Sequence, residues 1–229
     1  MLLFSKSFLI LFITASFAFF SCSDDNDSGM DSNLGEARVL VTHASPDAPG
    51  VDLLVDNNVA GTNLEFPNNT GYLPVTEGTR NIKVNVTNTT TTVIEADLDL
   101  DSDVNYSVFA IDAVANLSPL VVVDDLSAPA SGNAHVRFIH LSPDAPAVDI
   151  TTTDGTIVFG NYIFKQASDF KPLPAATYDL QVRLQGTATV ALELPGIALE
   201  NGKIYTVFAK GFVAGTDNQA LGAQIIVNN

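Results

Sequence analysis

The sequence predicts an all-β protein, two tandem antiparallel β-sandwich domains of immunoglobulin-like type behind a cleaved lipoprotein signal. Three observations predict it. Apolar side chains alternate with period two in both halves of the chain, proline and glycine punctuate the alternating runs, and one stretch of sequence occurs twice. No stretch of ten or more residues after residue 36 carries helical periodicity.

The duplication sets the domain organisation. Ala37-Arg-Val-Leu-Val-Thr-His-Ala-Ser-Pro-Asp-Ala-Pro-Gly-Val-Asp52 returns as Ala134-His-Val-Arg-Phe-Ile-His-Leu-Ser-Pro-Asp-Ala-Pro-Ala-Val-Asp149. Leu73-Pro74 matches Leu173-Pro174, and Tyr106-Ser-Val-Phe-Ala110 matches Tyr205-Thr-Val-Phe-Ala209. The expected division is a signal peptide over 1–21, a lipidated cysteine and acidic tether over 22–36, a first sandwich over 37–126, a linker over 127–133 and a second sandwich over 134–229. Each sandwich is long enough for its own core. The linker carries no charge and no large side chain.

Within each repeat the elements follow in order. Val39, Val41 and His43 share one face of a first strand, as do Val136, Phe138 and His140 in the second copy. Val51, Leu53 and Val55 alternate with polar neighbours, and Ile82, Val84 and Val86 line one side of a longer run. Residues 89–96, 104–112 and 119–124 add β-prone runs, for about seven strands per repeat. Tyr106 and Tyr205, each six residues after a leucine, resemble the tyrosine corner that pins two sheets of an immunoglobulin-like sandwich.

Composition narrows the function classes. The 229 residues carry 26 acidic and 10 basic side chains, a formal net charge of −16, so the surface repels phosphate backbones and nucleic acid is not an expected partner. One cysteine excludes an intrachain disulfide framework. That cysteine has a telling position. Lys6 precedes an apolar run from Ser7 to Phe20 that would span about 21 Å as a helix, short of a bilayer core of roughly 30 Å. A cleaved export signal fits better than a spanning helix. Phe19-Phe20-Ser21-Cys22 resembles a bacterial lipobox, in which Cys22 takes a covalent lipid such as palmitate. Residues 23–36 then hold five acids and no base, too little apolar surface to fold. Ser-Asp-Asp after Cys22 resembles the acidic signal that sends some lipoproteins to the outer cell surface, so the expected place is the outer membrane, facing outward.

The duplicated motif is the main candidate site. It comprises His43, Ser45, Pro46, Asp47, Pro49 and Asp52, and in the second copy His140, Ser142, Pro143, Asp144, Pro146 and Asp149. Imidazole beside carboxylate suits acid–base or metal chemistry. The competing reading is structural: the prolines fix a turn, Ser45 and Asp47 bond local backbone, and His43 enters the core edge and bonds the turn. Asp52 falls on the opposite strand face from Val51 and Leu53, away from that ring. The structural reading is the expectation, because a metal site needs more convergent ligands. Both repeats, over roughly residues 37–229, resemble the bacterial domain of unknown function family 4397, marked by the Ala-Ser-Pro-Asp-Ala-Pro-x-Val-Asp signature; Leu141 departs from it in the second copy. The resemblance implies a secreted, often tandem module, supplies no established activity and transfers no catalytic residue.

Asp97, Asp99, Asp101 and Asp103 begin like a calcium loop, but Ser102 stands where the turn glycine belongs and Val108 where the bidentate acid belongs. They are expected to be a solvated acidic face, with Ca²⁺ as a narrower alternative. Catalytic signatures such as Gly-x-Ser-x-Gly or His-Glu-x-x-His are missing. The expectation is therefore a non-enzymatic, membrane-anchored surface lipoprotein that binds, adheres or spaces, with an unknown protein or polysaccharide partner and no cofactor beyond the lipid. A hydrolase or metal-dependent enzyme using the His/Asp positions, and a calcium-stiffened adhesion module, are the alternatives.

Overall fold

The alternating runs form strands in the computed structural model, which describes residues 34–229. The expected signal peptide, Cys22 and the tether as far as residue 33 lie outside the described residues. The first repeat contributes β1 (Glu36–His43), β2 (Val51–Val55), β3 (Asn58–Leu64), β4 (Asn69–Thr76), β5 (Gly78–Val86), β6 (Thr92–Leu100), β7 (Asn105–Ile111) and β8 (Ser118–Asp124). The second contributes β9 (Asn133–His140), β10 (Val148–Thr152), β11 (Ile157–Tyr162), β12 (Lys171–Pro174), β13 (Ala176–Leu184), β14 (Val190–Leu199), β15 (Ile204–Lys210) and β16 (Gly222–Val227). Among the described residues the only helical pieces are two 3-10 turns, Val114–Asn116 and Asp217–Gln219.

The strands assemble into four four-stranded sheets, ordered β4-β1-β7-β8 and β3-β2-β5-β6 in the first repeat, and β12-β9-β15-β16 and β11-β10-β13-β14 in the second. The fold is all-β and sandwich-like, with the same topology twice. One detail differs from a purely antiparallel sandwich. β1 runs parallel to β7, with Val39 opposite Tyr106, and β9 runs parallel to β15, with Val136 opposite Tyr205. The chain leaves the first strand, builds the other sheet, and comes back beside it in the same direction.

Register also corrects one equivalence. Pro74 faces Arg38, and Pro172 faces His135, so Pro172 rather than Pro174 is the counterpart of Pro74. Both lie in edge strands, where the missing N–H costs no ladder bond. The Leu-Pro identity of the sequence is thus displaced by two residues from the structural one.

Each repeat has its own core. Val39, Val41, Val51, Ile82, Val84 and Val108 meet between the sheets of the first, and Val136, Phe138, Ile150, Phe159, Val182 and Val207 between those of the second. The two tyrosine hydroxyls accept hydrogen bonds from backbone N–H groups five residues upstream, Tyr106 from Asp101 and Tyr205 from Glu200, both at 3.1 Å. That contact pins the turn leading into β7 and β15.

A third core joins the repeats. Leu40, Phe109, Ile111, Ile139, Phe208 and Ile226 are buried together, contributed by the opposite faces of the β4-β1-β7-β8 and β12-β9-β15-β16 sheets. These two are therefore inner sheets, stacked face to face, and the other two are outer sheets. At the centre Phe109 and Phe208, which occupy the same position in the two repeats, meet edge to face with centroids 5.9 Å apart. Equivalent residues touching each other mark a pseudo-two-fold axis.

A polar ring is sealed into this junction. Arg137 in β9 is 2 % exposed. Its Nη2 lies 2.6 Å from Asp124 Oδ1, an ionic contact outside hydrogen-bond alignment, and donates to Ser107 Oγ at 3.0 Å. Its Nε donates to Thr206 Oγ1 at 2.8 Å. Ser107 and Tyr72 hydroxyls donate to Asp124 Oδ2 at 2.7 and 2.5 Å. Asn228 closes the ring, its Nδ2 donating to Tyr72 and its Oδ1 accepting from Thr206. Burial pushes the Arg137 pKa down, opposed by Asp124, and burial with the Asp124 charge pushes the Tyr72 phenol up, so Tyr72 stays a donor.

Truncating Phe208 to alanine empties the centre of the shared core. The expected loss is about 3–5 kcal/mol in urea unfolding of the full chain. A cost below that of an exposed-site control such as Val190→Ala would mean that the sheets do not depend on this contact.

Candidate functional site

Each copy of the duplicated motif begins at the end of a doubly buried strand. His43 is 1 % exposed and His140 0 %. Their Nε2 atoms lie 3.0 Å from Pro49 O and 3.1 Å from Pro146 O. A carbonyl only accepts, so Nε2 holds a proton, burial favours the neutral ring, and Nδ1 is left buried without a partner. Burial holds both imidazole pKa values below the usual 6.5, with the carbonyl contacts pulling the other way.

The motif carboxylates serve backbone donors on other segments. Asp47 Oδ1 accepts from Val114 N at 2.8 Å and Asp144 Oδ1 from Val213 N at 2.9 Å. These bonds tie the motif turn to the loop after β7 or β15, a reach of 67 and 69 residues. The expectation that Asp47 bonds local backbone is thereby corrected. Ser142 Oγ donates to Gly211 O at 2.6 Å on the same distant loop, whereas Ser45 Oγ has no partner. Gly211 has φ +81°, and a Cβ there would stand 2.2 Å from Ala220 O, so this loop needs glycine. Asp112, at the corresponding place, adopts φ 80° and is paired with Lys165 at 3.4 Å.

Asp52 and Asp149 act elsewhere. Asp52 accepts from Asn63 N at 2.8 Å, Thr87 Oγ1 at 3.2 Å and Asn88 N at 3.2 Å. The Asn63 bond leads in holding its pKa down. Asp149 accepts from Asn161 N at 2.7 Å and Gly186 N at 2.8 Å. Each bridges two hairpins of an outer sheet, and neither shares a partner with the histidine of its own motif.

The residues 37–151 match the family described as domain of unknown function (DUF4397). That span is half of the chain. The chain belongs to the DUF4397 family. The DUF4397 match runs through the whole first sandwich and ends inside β10, so it contains both copies of the motif. No curated protein matches the chain.

The acidic candidates are spread out. Asp97 accepts from Asn81 Nδ2 at 2.8 Å and Asp99 from the Thr79 hydroxyl at 2.6 Å, both across the outer β5–β6 ladder. Asp101 and Asp103 sit in the following turn, where Asp103 N donates to Glu36 O. All four are exposed. Among the described residues no three His, Cys, Asp or Glu side chains converge as metal ligands.

Two concavities adjoin the motif and the polar ring. A cavity of about 70 Å³ lies beneath the second motif, lined by His140, Pro146, Val182, Leu192, Val213 and Leu221. A groove of about 510 Å³ opens at the junction of the inner sheets, between Val122, Val123 and Asp125 on one wall and Ser168 and Phe170 on the other, with Arg137 at its floor. Phe170 covers that guanidinium at 4.6 Å. None of the residues of the polar ring was marked by motif. The signal for them was a lone arginine inside an apolar strand, His-Val-Arg137-Phe-Ile-His, and an aspartate closing the run Val121-Val-Val-Asp124.

The buried imidazoles set a pH dependence. A histidine whose folded pKa is depressed stabilises the fold fully above its unfolded pKa, near 6.5, and that stability is lost as pH falls toward the folded value. Wild-type chemical stability should fall below pH 6.5 more steeply than that of the His43→Gln/His140→Gln variant, whose amides can donate to the same carbonyls. Parallel pH profiles for the two proteins would contradict the assigned neutral, Nε2-protonated rings.

Proposed function

We propose that this chain is a lipid-anchored protein of the outer membrane, displayed at the cell surface, whose tandem DUF4397 sandwiches bind or adhere to a protein or polysaccharide. The observation that carries this reading is Cys22, the one cysteine in the chain, standing where a short apolar run ends and an acidic tether begins. A lipidated cysteine holds a protein at a membrane with about 0.8 kcal/mol per buried methylene, and needs no spanning helix. No helix among the described residues is long and apolar enough to cross a membrane.

The sandwiches support the binding half of the reading. The side chains of the duplicated motif are occupied with holding loops and strand ends, which supports a structural role for them over acid–base chemistry. The repeats stack through their inner sheets instead of extending end to end, which favours a binding block over a long spacer. Charge supports partners other than nucleic acid. Residues 37–126 hold 13 acids against 3 bases, while residues 134–229 hold 8 against 6. The second repeat therefore offers the less repulsive face to an acidic surface polysaccharide.

Replacing Cys22 by alanine should move the protein from the membrane fraction to the soluble fraction, with the fold unchanged by circular dichroism. Labelling of the wild-type protein on intact cells by a membrane-impermeant lysine reagent should reach Lys165 and Lys171. Retention of Cys22→Ala in the membrane fraction would sink the anchor, and full protection from the reagent would place the sandwiches on the inner side of the outer membrane.

A further inference from the structure

The two inner faces share a phenylalanine at the centre, Phe109 and Phe208, and differ around it. Register places Leu40 where the second repeat has Arg137, since Val39 and Val136 face Tyr106 and Tyr205. It places Asp124 where the second has Asn228, since Val123 and Val227 face the same two tyrosines. Ser107 corresponds to Thr206 and Val122 to Ile226 by the same ladders. Across the pseudo-two-fold axis, then, the ion pair Arg137–Asp124 corresponds to the neutral couple Leu40 and Asn228, and Asn228 itself lies in the same polar ring as the pair.

We propose that Arg137 and Asp124 are a pairing key: the inner face of each repeat accepts the inner face of the other and rejects a copy of itself. The partner that each face fits is the complementary half of this chain. If two first repeats met through the same surface, each Asp124 would face Leu40, with Ser107 and Tyr72 hydroxyls near it and no guanidinium in the place of Arg137. If two second repeats met, each Arg137 would face Asn228 and no anion. Both arrangements bury two uncompensated charges, at a penalty of several kcal/mol per ion, whereas the observed one buries a compensated pair.

The centre of the junction does not discriminate: Phe109 and Phe208 are the same residue, and Ser107 against Thr206 and Val122 against Ile226 differ by one carbon each. Farther out the faces differ more, with Ile111 against Lys210 and Leu120 against Gln224, but the buried charges are confined to Arg137 and Asp124. An apolar surface of this kind, if self-complementary, would associate with its copies on neighbouring molecules. The key directs it inward. This inference does not depend on where the protein resides or what it binds.

The test uses the full chain with a protease site placed within residues 127–130 and cut after folding, followed by native mass spectrometry of the nicked protein. Mixing unlabelled and ¹⁵N-labelled nicked wild-type protein should give one-to-one pairs of first and second halves only. Arg137→Leu alone should weaken the pairing of halves at least about 100-fold, because it strands Asp124. The double variant Asp124→Asn/Arg137→Leu, which gives both faces the same residues at the key positions, should give homotypic pairs alongside the mixed one. The charge-exchanged variant Asp124→Arg/Arg137→Asp keeps the test open if the neutral variant does not fold: mixed with nicked wild type, it should form no cross-pairs of like charge. Homotypic pairs from the wild type, separation of its halves on nicking, exclusive mixed pairing in the neutral variant, or cross-pairs of wild-type with charge-exchanged halves would each overturn the proposal.

Discussion

The strands β1, β7, β9 and β15 bury both of their faces, and much of the remaining structure answers to that constraint. A strand in this position has no wet side, so its side chains must alternate between two different cores and not between core and solvent. Val39 and Val41 point into the first sandwich while Leu40 points at the other repeat; Val136 and Phe138 point into the second while Ile139 points back. The chain must also leave such a strand without stranding its backbone polar groups. The duplicated motif begins at that exit. His43 N donates to Asn68 O and Ala44 N to Ala110 O, with His140 N on Gln166 O and Leu141 N on Ala209 O in the second copy. The imidazole then satisfies the carbonyl of Pro49 or Pro146, which has turned inward, and the aspartate of the turn holds the neighbouring loop. At the end of a strand buried on both faces, the imidazole and the aspartate give the chain a hydrogen-bonded way out.

The polar ring follows from the same burial. Three positions at the junction carry hydroxyls, one an amide, one a carboxylate and one a guanidinium, and each is answered by another member of the set. Leaving any of them without its neighbours would cost roughly 1–3 kcal/mol for a neutral group and more for a charge. Arg137 is tolerated there because Asp124, Thr206 and Ser107 meet three of its edges and Phe170 lies over its plane.

Much of the fold was legible because period-two alternation and proline placement are local signals. Ile82, Val84 and Val86 announce a half-buried strand, and β5 forms there. The paired tyrosines announced the corner that Asp101 and Glu200 complete. The third core was not legible by the same rule. Tyr-Ser-Val-Phe-Ala-Ile over 106–111 and Ile-Tyr-Thr-Val-Phe-Ala over 204–209 are almost unbroken apolar runs, and an unbroken run is what two-sided burial looks like. Read for one face only, it yields Tyr106 and Val108 and misses Phe109. The partners of Asp47 and Ser142 were hidden for a different reason: the loops they hold lie 67 and 69 residues away, and no local pattern encodes such a contact. The Leu-Pro match misled by two residues because identity of sequence is not identity of register.

The mirrored order of the sheets has one more consequence. With the inner sheets back to back, the outer sheets β3-β2-β5-β6 and β11-β10-β13-β14 look in opposite directions, and features common to both repeats are presented twice on surfaces facing apart. Val59 and Ile157 are one such pair: each sits opposite the corresponding residue of β2 or β10, and both are exposed. A ligand that recognised such a feature could not close over both copies of one molecule at once, so it would gain no chelate advantage. The duplication thus presents each shared feature as two separate sites and not as one enlarged site.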